Sequence, residues 1–365
     1  MSEKPIYVTQ SFLPPIEEYT NRIKAIWESG QLTNHGTNVL ELENQLQKHL
    51  SVDHLLAVSN GTLALQVAFK ALNLTGDVIT TPFSYVATVS SLAWEGLNPV
   101  FVDIKQNDLC IDPEKIEAAI TENTSAILAT HVYGFPCDVE AIEKIALKHG
   151  LKVIYDAAHA FGVTVNGKSI LAYGDASTLS FHATKIFHSG EGGAIVTPHA
   201  DVAHKVSYMR NFGHNGTEDF WGIGINAKMS ELHGAMGLCV LPHMQQIIAH
   251  RKNATEKYDT LLEGIPEICL VKASISSEHN YSYYPVFFQT EENLVNTMEH
   301  LNAAAIFPRR YFHPSLAALP YVAQYEVPIA RSTSSRVLCL PLSSEISEAE
   351  IIKVCNTIGT TLTSN

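Results

Sequence analysis

Short apolar runs rich in β-branched residues alternate, over the first two thirds of the chain, with longer segments whose apolar positions recur every three or four residues. "HLLAVSN" precedes "GTLALQVAFKAL", "DVITTPF" precedes "SYVATVSSLAWEG", and "PVFVDI" precedes "DPEKIEAAI". The series continues through "SAILATHVYG", the helix-like "DVEAIEKIALKHG", "LKVIYDAAHAFG", "ASTLSFHATK" and "GGAIVTP". Continuous or period-two apolar runs read as strands and period-3.6 segments as helices. The alternation therefore predicts an α/β fold: a mainly parallel sheet with helices on both faces. Some boundaries carry their own signals. Asp112 precedes Pro113 and Glu114, an N-cap oxygen ahead of a helix-compatible proline, and "ALKHG" ends a helix with basic residues in its last turn and Gly150 beyond. After about Val240 the alternation fades, and "QQIIAHRKNATEKYDTLLEG" reads as a long helix leading into a smaller α+β unit. The expected division is residues 1–245 for the large unit and 246–365 for the small one.

Composition narrows the function classes. A chain of 365 residues exceeds the usual single core, in keeping with two closely packed units. A net charge of −13, with no lysine and arginine cluster to oppose it, argues against a nucleic-acid partner. The segment "MSEKPIYVTQSFLPPIEEY" has no apolar signal-like run, and no window approaches the roughly 20 apolar residues of a membrane span, so the expected location is the cytoplasm. Six cysteines with no CxxC pair read as free buried thiols. Seventeen histidines include no HExxH and no zinc-spaced cluster, so no metal is expected.

Ligands of open α/β sheets bind at the carboxyl ends of the strands. That rule selects Gly61, Thr62, Tyr85, Asp156, His159 and the stretch from Ser180 to Lys185. Asp156 ends the apolar strand "KVIYD", where a carboxylate is costly unless it meets a cation or hydrogen-bond donors. Lys185 follows 29 residues later (185 − 156), after one more strand, so the two can face one ligand from neighbouring strands. Ser180 and the "NGT" turn at 60–62, which opens a helix, can offer hydroxyl and amide donors to a phosphate. Lysine, aspartate and phosphate cup together match the needs of pyridoxal 5′-phosphate: an amine for its aldehyde, an anion for its ring nitrogen and an anchor for its phosphate.

Taken singly, these residues have plainer readings. Asp156 suits an N-cap, His159 and Tyr85 suit core packing, Thr62 and Ser180 are common turn and cap residues, and Asn226 after "WGIGI" suits a turn. His182 and His188 flank the lysine and are compatible with either a sugar pocket or a structural role. Arg309 and Arg310 are adjacent on an extended segment and point opposite ways, so at most one faces the site. Arg210 and Lys228 are further candidates for an anionic substrate.

The motifs "GQLTNHG", "VSNGTLALQVA", "TPFSYVAT", "VIYDAAHAFG", "SFHATKIFHSGEGG" and "INAKMSELHGAMG", in that order, resemble those of the DegT/DnrJ/EryC1/StrS family of sugar aminotransferases, and "FPRRYFHPSL" extends the match. The resemblance implies the type I aspartate aminotransferase fold, with a mainly parallel seven-stranded sheet and a smaller C-terminal unit. It implies that Lys185 binds the cofactor aldehyde, Asp156 the pyridine nitrogen, and Gly61, Thr62 and Ser180 the phosphate. His159, where many relatives have glutamine, stands beside the ring and its 3-hydroxyl, and Tyr85 stacks on the ring. Asn226 reaches the phosphate of a second subunit, which implies a homodimer with shared sites. His188, Lys228, Arg309 and Tyr311 are the substrate-binding candidates. Retention of Lys185, which dehydratase relatives replace by histidine, argues for amino transfer from L-glutamate to a nucleotide-linked keto sugar. "KPIYVTQSFLPPIEEY", "CDVEAIEKIALKHGLKVIYDAAHAFG" and "RRYFHPSL" look most like the branch that acts on dTDP-4-keto-6-deoxy-D-glucose to make an O-antigen precursor. A 3-keto sugar, a UDP- or GDP-linked substrate, or a silent regulatory protein on the same fold are the alternatives.

Overall fold

A computed structural model describes residues 4–273 and 275–363. A seven-stranded sheet forms its centre, in the spatial order His54–Val58, Gly193–Thr197, Ala176–Ser180, Lys152–Asp156, Thr124–Thr130, Asp77–Thr80, Asn98–Phe101. Six of these strands run parallel. Gly193–Thr197 runs antiparallel to both its neighbours, with Gly193 opposite Val58 on one side and Ser180 on the other. The exception has a local cause. All the parallel steps are long crossovers, most of them through a helix, whereas the turn 181–192 between Ser180 and Gly193 holds no helix and reverses the chain as a hairpin does.

Gly61–Ala71, Val86–Trp94 and Val139–His149 are helices anticipated from the pattern, and Ala200–Met209 follows the last strand of the central sheet. Asp112 accepts from the Glu114 amide, and Gly150 closes its helix in the left-handed region with φ +67°. The sheet separates two apolar layers. One is centred on Leu42, Ile79, Ile127, Phe181 and Val196, the other on Leu65, Phe69, Leu128, Ile154 and Ile195. Five of the six cysteines are buried, and Cys269 is exposed.

The helix Met244–Leu262 leads to a three-stranded antiparallel sheet of Ile268–Leu270, Tyr284–Phe288 and Val337–Leu340. Helices Glu291–Ala303 and Glu348–Thr363 cover it around Val286, Leu294, Leu338 and Val354. The N-terminal segment crosses between the two parts of the chain. Ile6–Tyr7 pairs with Ile306–Phe307, the Ser11 hydroxyl donates to the Ala183 carbonyl at 2.6 Å, and the Phe12 carbonyl accepts from His188 Nε2 at 2.7 Å. It thereby straps the turn that carries Lys185. Among the described residues no helix is long and apolar enough to cross a membrane.

Candidate active site

A cavity of about 250 Å³ opens at the carboxyl ends of the central strands. Gly61, Thr62, Tyr85, Asp156, His159, Ser180, Lys185, Arg309 and Tyr311 all line it. Five segments of the chain thus converge, four of them following strands of the central sheet, as the carboxyl-edge rule requires. A larger, more open groove of about 580 Å³ lies between the helices Ile16–Ser29, Thr37–Leu50 and Glu231–Val240; it contains none of these residues.

At one end stands a donor cup. Asn60 caps the helix Gly61–Ala71 by accepting from the Leu63 amide at 2.9 Å, which leaves the earlier amides of Gly61 and Thr62 without intrahelical acceptors. Ser180 lies directly across. A Cβ built on Gly61 would come within 2.9 Å of the Ser180 Cβ, so only glycine keeps this floor open. Helix N-terminus, free amides and two hydroxyls together suit a phosphate. Gly193 is fixed for a related reason: a Cβ there would meet the Asn60 backbone at 2.6 Å and the Leu179 carbonyl at 2.7 Å.

Asp156 marks the other end. It is buried, with 7% of its surface exposed, and burial raises its carboxyl above the ordinary value. Thr88 Oγ1 donates to its Oδ2 at 2.7 Å and the Ala158 amide to its Oδ1 at 3.2 Å; both bonds, with the charge of Lys185, pull the other way. Thr130 Oγ1 in turn donates to Ser84 Oγ at 3.0 Å, and Ser84 and Thr88 share a bond of 2.7 Å. Because the Thr88 proton goes to the carboxylate, the order is fixed as Thr130 to Ser84 to Thr88 to Asp156. A buried anion whose ionised form is this carefully supplied with donors, yet still held up by burial, fits a cationic ring N–H. Thr88, Ser84 and Thr130 gave no signal in the sequence, since hydroxyl residues near strand ends are commonplace.

His159 is buried, and burial drives its imidazole well below the ordinary histidine range, with the Lys185 charge adding to the effect. The Tyr133 amide donates to its Nδ1 at 3.2 Å. The neutral ring therefore carries its proton on Nε2 and presents a neutral donor. Its plane lies 3° from that of Phe312 at 5.7 Å, and Tyr283 packs at 4.7 Å. Behind it, Asn280 Nδ2 donates to the His159 and Phe161 carbonyls at 2.8 and 2.9 Å, and Ser282 Oγ donates to the His159 carbonyl at 2.7 Å. Buried Arg251 holds the Tyr281 and Leu342 carbonyls at 2.7 and 3.0 Å, and that of Ser282 at 2.5 Å. The segment 280–283 is thus bonded to the cavity side of the central sheet.

Lys185 lies half-buried on the turn 181–192, its amide donating to the His182 carbonyl at 2.8 Å and its Nζ 6.0 Å from the centroid of Tyr283. His182 and Thr184 share the cavity wall and bond to each other at 2.8 Å. Tyr85 is 47% exposed and its ring lies 6.1 Å from that of Tyr311, at the cavity mouth.

Other sequence candidates lie elsewhere. His188 is buried and spent on the Phe12 carbonyl, so in this chain it holds the strap and does not line the cavity. Arg210 is buried against Glu43 and donates to the Ala57 carbonyl at 2.7 Å, so it is a structural ion pair with no access to a substrate. Asn226 and Lys228 are outside the cavity; the Lys228 amine donates to Asn226 Oδ1 at 2.8 Å and sits 4.3 Å from the Phe212 ring centroid. Of the adjacent arginines, Arg309 lines the cavity, while Arg310 turns to Glu291 at 2.5 Å and the Ser335 carbonyl at 2.8 Å.

This fold, with a lysine, a buried aspartate and a donor cup lining one cavity, defines an enzyme of the type I aminotransferase class. The chain belongs to the DegT/DnrJ/EryC1/StrS aminotransferase family, which it matches over residues 15–359, and it is a sugar aminotransferase. It is 44% identical to the dTDP-4-amino-4,6-dideoxy-D-glucose transaminase of Shigella dysenteriae, across 98% of this chain and 99% of that protein. The Escherichia coli protein of the same name is 40% identical, across 97% and 98%. Among solved structures, DesI in the presence of its TDP-sugar product superposes with a TM-score of 0.95 at 33% identity, covering 99% of this chain and 94% of that one.

Proposed function

We propose that the protein transfers the amino group of L-glutamate to C4 of dTDP-4-keto-6-deoxy-D-glucose, giving 2-oxoglutarate and dTDP-4-amino-4,6-dideoxy-D-glucose for a surface polysaccharide such as an O-antigen. The observation that carries this reading is the 44% identity, over nearly the whole of both chains, to a transaminase named for that product. On this reading the protein works in the cytoplasm with pyridoxal 5′-phosphate in the cavity, the large unit being residues 1–245 and the small unit 246–365.

When bound, the cofactor supplies an electron sink that lets a proton leave the carbon bearing the transferred nitrogen. Gly61, Thr62 and Ser180 hold its phosphate. Asp156 keeps the ring nitrogen protonated, because a cation there offsets the cost of burying the carboxylate. His159 would offer its Nε2–H to an oxygen of the ring, and Tyr85 would pack against the ring from the cavity mouth. Lys185 would hold the aldehyde carbon through its Nζ and, when not so bound, would hold and move a proton at that atom.

Asn226 completes the phosphate cup of a second subunit on this proposal. Its support is placement: Asn226 does not line its own cavity, and the adjoining loop exposes Phe212, Phe220, Trp221 and Ile223, an apolar patch of the kind that marks an interface.

Incubation of the loaded enzyme with glutamate and the keto sugar, followed by NMR of the product, tests the reading. An amine at C4 is expected. An amine at C3, or turnover only with a UDP- or GDP-linked sugar, overturns the substrate assignment. The hydroxyl chain gives a second expectation. Thr88→Val removes a bond to the charged form of Asp156 at nearly constant volume, so the carboxyl rises further and pyridoxal phosphate dissociates about 10-fold more readily, as the loss of one bond to a charged group implies. Equilibrium dialysis with absorbance detection reads this, and unchanged cofactor affinity would remove the chain from the mechanism.

A further inference from the structure

Lys185 stands at the head of a stretch that its own backbone does not hold. The turn 181–192 is closed by the Phe181 and Ala183 amides, which donate to the Gly192 and Gly190 carbonyls at 2.8 Å, and by the Ser189 amide on the Phe181 carbonyl at 2.9 Å. Between those bonds, among the described residues, the amides of Ile186, Phe187 and His188 reach no backbone carbonyl. All three residues are buried, so side chains must fix the stretch. Phe187 stacks on Phe161 at 4.6 Å and meets Phe181 edge-on at 4.9 Å. Apolar burial holds a residue at depth but is not directional. Direction comes from His188.

Its ring makes two polar bonds at once. The Gly190 amide donates to Nδ1 at 3.3 Å, and Nε2 donates to the Phe12 carbonyl at 2.7 Å. Burial holds the imidazole below the ordinary histidine range against the opposing pull of the Phe12 bond, so the ring is neutral and carries its proton on Nε2. Phe12 belongs to the N-terminal strap, which is itself anchored. The Val8 amide donates to the Phe307 carbonyl at 3.0 Å, the Val8 carbonyl accepts from the Leu342 amide at 3.1 Å, and Gln10 Nε2 donates to Glu345 at 2.7 Å. The neighbouring strap residue, Ser11, holds the other arm of the turn at the Ala183 carbonyl, 2.6 Å away. Lys185 is thus bracketed from one strap, by Ser11 on the residue two positions before it and by Phe12 on the residue three positions after. Ser11, Phe12 and His188 do not line the main cavity.

We propose that His188 is a positioning residue for proton transfer at Lys185: with Ser11 it clamps the turn to the strap and so aims Nζ, while touching no substrate. The proposal rests on the aminotransfer reading above. Its consequence is that loss of the clamp slows the movement of a proton and leaves substrate binding alone, since a misplacement of about 1 Å can cost on the order of 100-fold in rate.

The test follows the visible absorbance of cofactor-loaded enzyme mixed with glutamate in a single turnover, whose rate constant, unlike its amplitude, does not depend on the fraction of protein folded. His188→Asn keeps an acceptor where Nδ1 stands and loses the reach to Phe12; His188→Gln keeps the reach and loses the acceptor. Each should lower the saturated rate constant about 3- to 10-fold, as the loss of one hydrogen bond implies. His188→Leu loses both bonds and should cost about 100-fold. Ser11→Ala leaves the buried ring in place and should cost about 3-fold. Half-saturating glutamate should stay within about 2-fold of wild type throughout, and deuterium at C2 of glutamate should slow the variants at least as much as the wild type. The decisive comparison uses Lys185→Ala assisted by a small primary amine. The turn does not aim a free amine, so His188→Gln should change that assisted rate by less than about 2-fold, whereas a merely structural role would slow both backgrounds alike. Unchanged rate constants in the His188 variants, a loss that appears as raised half-saturation, or an equal loss in the amine-assisted background overturns the assignment. If wild-type protein shows no change with glutamate, the aminotransfer reading falls and takes the proposal with it; a normal wild-type change with unchanged variants overturns the proposal alone.

Discussion

Lys185→Ala protein, loaded with pyridoxal phosphate, should aminate its sugar at least about 10⁴-fold more slowly than the wild type, since it loses both the nucleophile and the proton carrier. The fold should survive. Lys185 is half-buried, forms no ion pair among the described residues, and is held in place through its backbone, with the Ser11 bond to Ala183 and the His188 bond to Phe12 beside it. Circular dichroism and thermal melting should therefore match the wild type while the visible absorbance of the loaded protein is lost. A small primary amine added to the variant should restore part of the rate. A variant that turns over within tenfold of wild type would remove Lys185 from the reaction.

Acid should unfold the protein steeply, and buried histidines set the slope. Burial lowers His131 to about 3 and His279 to about 4, and drives His159 well below its ordinary range. A histidine kept neutral in the fold contributes stability above about pH 6.5 and loses it as pH falls, because the unfolded imidazole then binds a proton that the folded one refuses. Below pH 6 each of the three costs about 1.4 kcal/mol per pH unit, and together about 4. Asp156, with its raised carboxyl, acts oppositely: in the acid range between its ordinary and raised values the folded state binds the extra proton, which offsets only one of the three. Typical domain stability is roughly 5–15 kcal/mol, so two units of pH consume much of it. Denaturant unfolding of the cofactor-free protein at pH 7, 6 and 5 measures the slope. His131 is the informative substitution, since its Nδ1 accepts from the Cys137 amide at 3.1 Å while its Nε2 has no hydrogen-bond partner among the described residues. In His131→Asn an amide oxygen can accept from Cys137 without titrating, and the slope should fall by about 1.4 kcal/mol per pH unit. An unchanged slope would show that His131 is not one of the groups refusing protons.

The central sheet and the lysine, aspartate and cup residues were legible because each is announced by a strong local pattern: an apolar strand, then a polar residue or glycine at its carboxyl end. Asp156 and Ser180 end their strands, and Gly61 and Lys185 follow theirs in the next turn. The antiparallel strand Gly193–Thr197 was legible as a strand but not in direction, which depends on the length of the preceding turn. Arg210 misled because a lone arginine looks the same in sequence whether its carboxylate is a substrate or Glu43, 167 positions away. The bonds from Asn280 and Ser282 to the His159 carbonyl and the hydroxyl chain behind Asp156 were invisible for the same reason: they join residues distant in sequence through common side chains. The choice between the adjacent arginines was anticipated as a pair with one inward member, and Glu291 settles which.

Gly193 sits opposite Val58 and Ser180 at once, with the backbone of Asn60 too close for any side chain. The turn that opens the donor cup and the turn that carries Lys185 are therefore stitched to the same residue. A slip of that strand by a single position would carry Lys185 and the Gly61 helix out of alignment together, and would turn every side chain of the strand to the opposite face. The separation between amine and cup is accordingly set by sheet register and comes in steps of one residue. Small adjustments to it by mutation are closed off, and a ligand of different length must be accommodated at the cavity mouth, where Tyr85 and Arg309 stand on segments free of that constraint.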